Sequence, residues 1–405
     1  MPESARRSRA RAAIAIGALS ATLAGCGTTS PSWLPTSWSL PAPSLDWLTG
    51  RDKASKPGPL PEVKSTSTAA TAWQVAVGKS SPGVVPAIVG NAIYAGASDG
   101  TLVRIDFDSG KTVWRTSVGK PISAGPAADE KTVVVATDKG DVIAFDVDGK
   151  SRWTSRVSSE VIAPPVVTEG VVIVLSGDGH ITGLSAADGS RMWAQQRTNP
   201  ALTVRNTAGG VASRGGVFVG MPGGRLLALD TKTGAIGWEG VVATPKGATE
   251  LERIADVTSR PLVEERQVCA VAFQGRLACF EILRGSLAWS RDVSSLTGVA
   301  ADDLAYYVVD DNGALHALDK STGASLWKQD KVAQRKPGGA QTVGNHVAFV
   351  DVEGYVHLFA PSTGAYVGRL ATDGSAPTGQ PQTAGGKLVW QSRGGNVYAV
   401  TTRAQ

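Results

Sequence analysis

Hydrophobic and polar positions along most of the chain follow one recurring pattern, which predicts β-strands. Short runs rich in β-branched residues, such as Thr132–Ala136 and Val171–Leu175, are typical of strands buried on both faces. Each run leads into an Asp-Gly or Asn-Gly type turn and then an alternating strand. A second turn of the Thr-Gly type follows and leads into a strand that carries Trp. The pattern therefore predicts repeated sheets of short antiparallel strands.

The glycine that opens the alternating strand recurs eight times, at Gly100, Gly140, Gly179, Gly224, Gly275, Gly313, Gly354 and Gly395. The mean spacing is about 42 residues, which is typical of a propeller blade. One four-stranded sheet cannot bury its faces alone, whereas radial stacking buries them. The predicted fold is all-β, an eight-bladed β-propeller with four antiparallel strands per blade. Trp73 precedes the first repeat and the last repeat lacks its Trp strand, so we expect the strand near Trp73 to close the ring.

Acidic residues stand at one repeat position, just before the Thr-Gly-type turn. An Asp at such a position commonly caps the turn that follows it, so these residues are predicted to serve the fold. They are Asp106, Asp146, Asp230 and Asp319.

The N-terminus has the organisation of an export signal. Four arginines between positions 6 and 11 precede residues 12–23, an apolar stretch too short to cross a bilayer. The stretch ends in Leu-Ala-Gly before Cys26, which resembles a bacterial lipobox, so we expect residues 1–25 to be removed and Cys26 to be lipidated. The alternative is a plain secreted protein with an incidental Cys. Residues 26–70, rich in Pro, Ser and Thr, are predicted to be a semi-extended tether, leaving 71–405 for the propeller.

Composition and charge exclude several classes of protein. The 405 residues are 42% hydrophobic and 19% charged, enough for a packed core, and the net charge of +5 is concentrated in the signal. The chain has no basic stripe with interleaved aromatic residues, so no nucleic-acid partner is predicted. The four His residues do not follow a metal-binding spacing. No catalytic residue, metal site or cofactor is therefore predicted.

Two repeats contain extra residues, at 200–206 and 245–256. Extra residues in a repeat array map to loops on one face, often the binding face, and these two repeats are consecutive. We therefore expect the two loops to be spatial neighbours that form a binding surface.

The Asp-x-x-Thr-Gly-x-x-x-Trp pattern, as at residues 230–238, resembles the repeat of quinoprotein alcohol dehydrogenases. The lipobox, the tether, eight repeats and residues 247–257 (GATELERIADV) together resemble the BamB family, lipoprotein subunits of the outer-membrane β-barrel assembly (Bam) machinery. The resemblance implies a non-catalytic scaffold that is lipid-anchored in the outer membrane and faces the periplasm. Its implied partners are the POTRA domains of BamA, other Bam subunits and unfolded β-barrel clients.

The same resemblance implies which residues bind BamA. Leu202, Val204 and Arg205 match the first loop of the family, and Asp256 matches one of two acidic positions on the second loop. Thr258 stands at the other acidic position. In a different interpretation, Leu202 and Val204 pin the loop while Arg205 and Asp256 form an internal ion pair. Two other functions stay open, a PQQ-dependent quinoprotein dehydrogenase and a sensor or ligand-binding propeller.

Cys269 and Cys279 flank a predicted hairpin almost symmetrically. Residues opposed on neighbouring strands lie within disulfide range, and the periplasm is oxidising. A disulfide and two buried thiols are both consistent with this spacing.

Overall fold

The computed structural model describes residues 56–205 and 209–404, which form 32 β-strands and one short 3-10 helix, Ala333–Arg335. The strands are grouped into eight sheets of four. Neighbouring strands are antiparallel, so the predicted eight-bladed β-propeller is confirmed. The signal segment, Cys26 and most of the predicted tether lie outside the described residues.

The blades are numbered in chain order, and each begins with a short strand next to the central axis. Blades 1 to 4 comprise β2 (Ala87–Val89), β3 (Ala92–Gly96), β4 (Thr101–Asp106), β5 (Thr112–Ser117); β6 (Ala124–Ala128), β7 (Thr132–Ala136), β8 (Asp141–Asp146), β9 (Ser151–Arg156); β10 (Val166–Thr168), β11 (Val171–Leu175), β12 (His180–Ser185), β13 (Arg191–Gln196); and β14 (Val211–Ser213), β15 (Gly216–Met221), β16 (Arg225–Asp230), β17 (Ile236–Val241).

Blades 5 to 7 follow the same order, whereas blade 8 combines the two ends of the described chain. These blades comprise β18 (Leu262–Val263), β19 (Gln267–Val271), β20 (Leu277–Glu281), β21 (Leu287–Arg291); β22 (Val299–Ala301), β23 (Ala305–Val309), β24 (Leu315–Asp319), β25 (Ser325–Gln329); β26 (Gln341–Val343), β27 (His346–Val350), β28 (Val356–Phe359), β29 (Tyr366–Leu370); and β30 (Gln382–Ala384), β31 (Lys387–Gln391), β32 (Asn396–Ala404), β1 (Ser67–Ala76).

The ring closes in blade 8, where β1 pairs antiparallel with β32 and Trp73 lies opposite Ala399. This confirms the predicted closure by the strand near Trp73. The strand begins at Ser67, which lies opposite Ala404, so the predicted boundary between residues 70 and 71 falls inside β1. Its first half, Ser-Thr-Ala-Ala, has little apolar periodicity and resembles the tether in composition.

The core consists of eight clusters of buried residues in the described chain, one between each pair of consecutive blades. Tyr94 and Phe145 pack between blades 1 and 2. Trp73 and Ile105 pack between blades 8 and 1, across the closure. Every blade therefore depends on both neighbours for the burial of its faces.

Seven tryptophans hold each outer strand to the Thr-Gly-type turn of the next blade. Each indole N–H donates to a backbone carbonyl of that turn over 2.7–3.1 Å. The turn glycine lies against the ring: Gly234 has φ +69°, and a Cβ there would lie 2.4 Å from Cε3 of Trp193. These residues are Trp73, Trp114, Trp153, Trp193, Trp238, Trp289 and Trp327.

The eighth repeat position is Gly368, on the outer strand of blade 7. The following blade is the closure blade, whose last two strands come from opposite ends of the chain, so no Thr-Gly-type turn joins them. A Cβ at Gly368 would lie 2.6 Å from the carbonyl oxygen of Ser67. Glycine therefore replaces tryptophan at this repeat position, because the backbone of Ser67 at the start of β1 occupies the space next to it.

The aspartates before these turns cap them, as the sequence predicts. Asp319 accepts hydrogen bonds from the backbone N–H and hydroxyl groups of Ser321 and Thr322. These hydrogen bonds lower the pKa of Asp319 to about 2. Asp106, Asp146 and Asp230 accept backbone N–H groups in the same way.

The two ends of the propeller carry different connections. We call one end the turn face: it carries the Thr-Gly-type turns, such as 107–111, and the turn between the first two strands of each blade. We call the other end the loop face: it carries the Asp-Gly-type turns, such as 97–100, and all connections between blades. Because the four strands of a blade alternate in direction, this division holds around the ring.

Residues 56–66 lie along blade 7 before the chain enters β1. Gly58 donates its N–H to the carbonyl of Gln334 over 2.8 Å, on the loop face. Arg369 donates to the carbonyl of Pro61 over 3.1 Å, and Thr66 N–H donates to the carbonyl of Val367 over 3.0 Å. The segment therefore passes from the loop face to the turn face beside the outer strand of blade 7.

Cys269 and Cys279 are directly opposed on β19 and β20 of blade 5 and form a disulfide. Both are fully buried between blades 5 and 6. Blade 5 has the shortest inner strand of the described chain, Leu262–Val263, and the disulfide joins its two central strands.

Candidate functional site

Two long connections lie side by side on the loop face. The first, residues 197–210, joins blades 3 and 4, and the second, residues 242–261, joins blades 4 and 5. They contact each other where the carboxylate of Asp256 accepts a hydrogen bond from the backbone N–H of Val204 over 2.6 Å. The predicted neighbourhood of the two loops is therefore confirmed. Asn206 lies outside the described residues.

Asp256 is a buried anchor rather than an exposed charge. Its side chain is only 2% exposed, and its second oxygen accepts the backbone N–H of Gly223 over 2.8 Å, in the tight turn of blade 4. Hydrogen bonds from N–H groups to a carboxylate are stronger than those between neutral groups. Asp256 therefore ties the first loop to blade 4 and leaves little surface for a partner.

Arg205 and Asp256 do not form an ion pair with each other. The guanidinium of Arg205 contacts the carboxylate of Glu160 at 3.1 Å, in the connection between blades 2 and 3. Both oxygens of Asp256 are occupied by backbone N–H groups, so the interpretation of an internal Arg205–Asp256 pair is wrong. The Arg205 side chain itself is exposed.

The two apolar residues of the first loop differ in exposure. Leu202 is 43% exposed at the loop tip, whereas Val204 is half-buried beside the contact with Asp256. Leu202 therefore presents an apolar side chain to solvent on a loop that Asp256 holds in place. Thr258, at the position of the missing acid, is buried, so its side chain does not contribute to the exposed surface of the loop.

The second loop presents groups that the sequence reasoning missed. Leu251 is 67% exposed at its tip. Glu250 beside it is exposed and pairs with Arg253 at 3.3 Å. The sequence does contain a signal for the exposure of Leu251. This apolar residue lies between two glutamates in an inserted loop, so it occupies no position in a blade strand.

The tip of the second loop is shaped by a local cap. The carboxylate of Glu252 accepts the backbone N–H groups of Ala248 and Thr249 over 2.7 and 3.1 Å, and these bonds lower the pKa of Glu252. With its amide oriented so that the nitrogen faces the loop carbonyls, Gln274 donates to the carbonyl of Ile254 over 3.0 Å. At the base of the loop, Ala255 and Val257 are buried between blades 4 and 5. Leu251 is therefore displayed on an ordered turn.

Neither a metal centre nor a membrane-spanning helix stands out within residues 56–205 and 209–404. No group of three or more His, Cys, Asp or Glu side chains in this part of the chain is arranged to hold a metal ion. No helix within it has the length and apolar character needed to cross a bilayer.

Comparison with known proteins decides the family. The family profile described as outer membrane protein assembly factor BamB matches residues 98–329. The outer membrane protein assembly factor BamB of Bordetella pertussis is 38% identical over 351 residues, which cover 86% of this chain and 91% of that protein. This chain belongs to the BamB family. The outer membrane protein assembly factor BamB of Nitrosomonas eutropha is 41% identical over 329 residues, which cover 81% of this chain and 80% of that protein.

A solved structure agrees with the fold. The crystal structure of BamB from Moraxella catarrhalis matches with a TM-score of 0.75 at 24% identity, covering 82% of this chain and all of that chain (100%). The BamB family is a family of assembly factors, so membership favours a non-enzyme over the quinoprotein alternative. It also places the chain in the context of the Bam complex and the outer membrane.

Proposed function

We propose that this chain is an outer-membrane protein assembly factor, a non-catalytic scaffold that binds BamA and assists the folding and insertion of β-barrel proteins. Family membership carries the proposal, because relatives that match most of the chain are named for this role. The loop face offers a surface for this role, since the two inserted loops contact each other there and each presents an exposed Leu.

In this proposal the first and second loops form one docking surface for the POTRA domains of BamA. Leu202 and Leu251 are its apolar anchors, with Val204 beside them. Arg205 and Glu250 are charged groups at the rim that orient the partner. Asp256 acts from below as a positioning residue, because its carboxylate fixes the backbone at Val204.

Lipidation of Cys26 would anchor the scaffold in the outer membrane, facing the periplasm. About 30 residues separate Cys26 from Lys56, and an extended chain of that length spans roughly 100 Å. Gly58 lies on the loop face, so the tether meets the propeller at the same end as the proposed docking surface. The anchor therefore limits how far that surface lies from the membrane.

Unfolded β-barrel clients are proposed to add to the outer strands of the blades. An outer strand such as β5 or β13 is hydrogen-bonded to a neighbouring strand on one side within the described sheets. A free edge accepts an extended segment through main-chain hydrogen bonds. Residues 61–66 already lie along the edge of blade 7, which makes that blade a poorer acceptor.

The test is co-purification from detergent-solubilised envelope with an affinity tag at the C-terminus. We expect BamA and other Bam subunits to co-purify with the wild-type chain. The variant Cys26→Ser should move to the soluble periplasmic fraction and yet bind BamA when mixed in detergent extract. Absence of every Bam subunit from the wild-type eluate contradicts the proposed function.

A further inference from the structure

A cavity of about 510 Å³ lies at the centre of the ring, near the loop face. It is lined by inner strands such as β2, β6 and β10 and by the connections that lead into blades 5 to 8. Its volume falls within the range of about 300–1,000 Å³ that is usual for small-molecule sites. The cavity is distinct from the tips of the two long loops, so the proposed docking surface does not account for it.

The walls of the cavity combine stiff apolar segments with polar side chains. Eight of the lining residues are prolines, among them Pro86, Pro126 and Pro337. Proline has a fixed φ and no N–H group, so such a wall offers shape but few hydrogen-bond donors. A site whose walls are already rigid favours ligand binding, because little conformational entropy is lost when it is filled.

The charged groups of the cavity are all cationic. Arg260, Lys336 and Arg393 line it, and no Asp or Glu is among the lining residues within the described ranges. The three come from different blades, since Arg260 precedes β18, Lys336 precedes β26 and Arg393 lies between β31 and β32. Like charges in one concave site raise the local potential and favour an anion.

Arg260 is the strongest candidate for direct contact with a ligand. Within the part of the chain that the structure describes, its guanidinium has no hydrogen bond or ion pair, and no carboxylate lines the cavity beside it. The side chain is accessible to solvent from the cavity but surrounded by its walls, and this desolvation lowers the pKa of the guanidinium. Arginine keeps its charge under such conditions, so the site holds an uncompensated cation.

We propose that this cavity binds a small organic anion through its carboxylate or phosphate group, with Arg260 as the principal contact. The planar guanidinium donates two parallel N–H groups to either kind of anion. Lys336 and Arg393 add long-range attraction, and the proline walls contact the apolar part of the ligand. This activity goes beyond assembly and does not use the loop tips at Leu202 and Leu251, although Arg260 lies at the base of the second loop.

Calorimetric titration of the full chain in neutral detergent and Tris chloride tests the site. The probes are benzene-1,2,4-tricarboxylate and phenyl phosphate, which distinguish the two kinds of anion, and benzamide is the uncharged control. We expect at least one anion to bind saturably with a Kd below about 1 mM and to bind more weakly as salt is added. Failure of both anions to saturate, or equal binding of benzamide, would overturn the proposal.

Variants identify the contact. Arg260→Gln should weaken the binding of the anion at least about tenfold, since a charge-assisted hydrogen bond contributes that much or more. Arg214→Gln, on an exposed turn of the turn face, is the matched control and should change it less than about twofold. If Arg260→Gln folds poorly, Arg260→Lys tests the contact in its place. This variant keeps the charge but loses the planar guanidinium, so it should retain only part of the affinity for the anion. Unchanged affinity in a folded Arg260→Gln variant contradicts the proposal.

Discussion

The turn face and the loop face are built from the same repeats but differ in how strictly the repeats are kept. On the turn face, seven tryptophans contact seven similar turns with nearly the same hydrogen bond. On the loop face, two connections are longer than the rest, and three cationic side chains from different blades line the cavity. Features that recur in every blade serve the fold, whereas those that break the repeat are where we expect function.

The largest expected effect comes from a substitution at one of the tightest glycine–tryptophan contacts of the turn face. Gly234→Ala places a methyl group 2.4 Å from the Trp193 ring at φ +69°, and we expect the free energy of unfolding to fall by about 3 kcal/mol or more. Urea unfolding measures it. Gly215→Ala is the matched control, because Gly215 has φ +76° on the same face with no atom within 4 Å of a Cβ, so it should cost only about 1–2 kcal/mol. Equal losses in the two variants would show that the Trp contact contributes nothing.

Removing the Cys269–Cys279 disulfide tests how much this bond stabilises blade 5, which follows the second long loop. We predict that denatured, unreduced Cys26→Ser protein has no free thiol and that reduction releases two. Replacing both Cys269 and Cys279 by Ala should lower the free energy of unfolding by about 2–3 kcal/mol. Thiol titration and urea unfolding measure the two effects. Two free thiols before reduction would contradict the disulfide.

Asp256 tests the anchoring of the first loop. Asp256→Ala leaves the N–H groups of Val204 and Gly223 without their acceptor, which should cost about 1–3 kcal/mol. Hydrogen exchange at residues 202–205 should accelerate with it. The control Glu250→Ala removes an exposed ion pair and should change stability by less than about 1 kcal/mol. If exchange at Val204 is unchanged in Asp256→Ala, the anchoring role is wrong.

The fold was predictable because it is repeated. Each turn glycine, capping Asp and Trp is sampled several times, so periodicity alone predicts the blades and even the closure at Trp73. The residues of the candidate site, in contrast, occur at one place in the chain and have no counterpart in the other repeats. The sequence shows that the loops at 200–206 and 245–256 are long, but it does not show which side of a loop each residue faces.

Asp256 and Leu251 illustrate this limit. The resemblance predicts Asp256 as a partner-facing acid, whereas it is buried against the backbone of Val204 and Gly223. Leu251 is displayed because Glu252 caps its turn, a contact between residues that no repeat position predicts. Whether Leu202, Val204, Arg205 and Asp256 support binding to BamA stays a prediction.

The affinity of purified BamA POTRA domains for two double variants tests whether the loop face is the docking surface. Leu202→Asp with Leu251→Asp changes one exposed leucine on each long loop, and Leu283→Asp with Leu304→Asp changes two leucines of the turn face, which are 79% and 76% exposed. We expect the loop-face variant to bind at least about tenfold more weakly and the turn-face variant to bind within about twofold of wild type. Loss of affinity in the turn-face variant, with unchanged affinity in the loop-face variant, would contradict this docking surface.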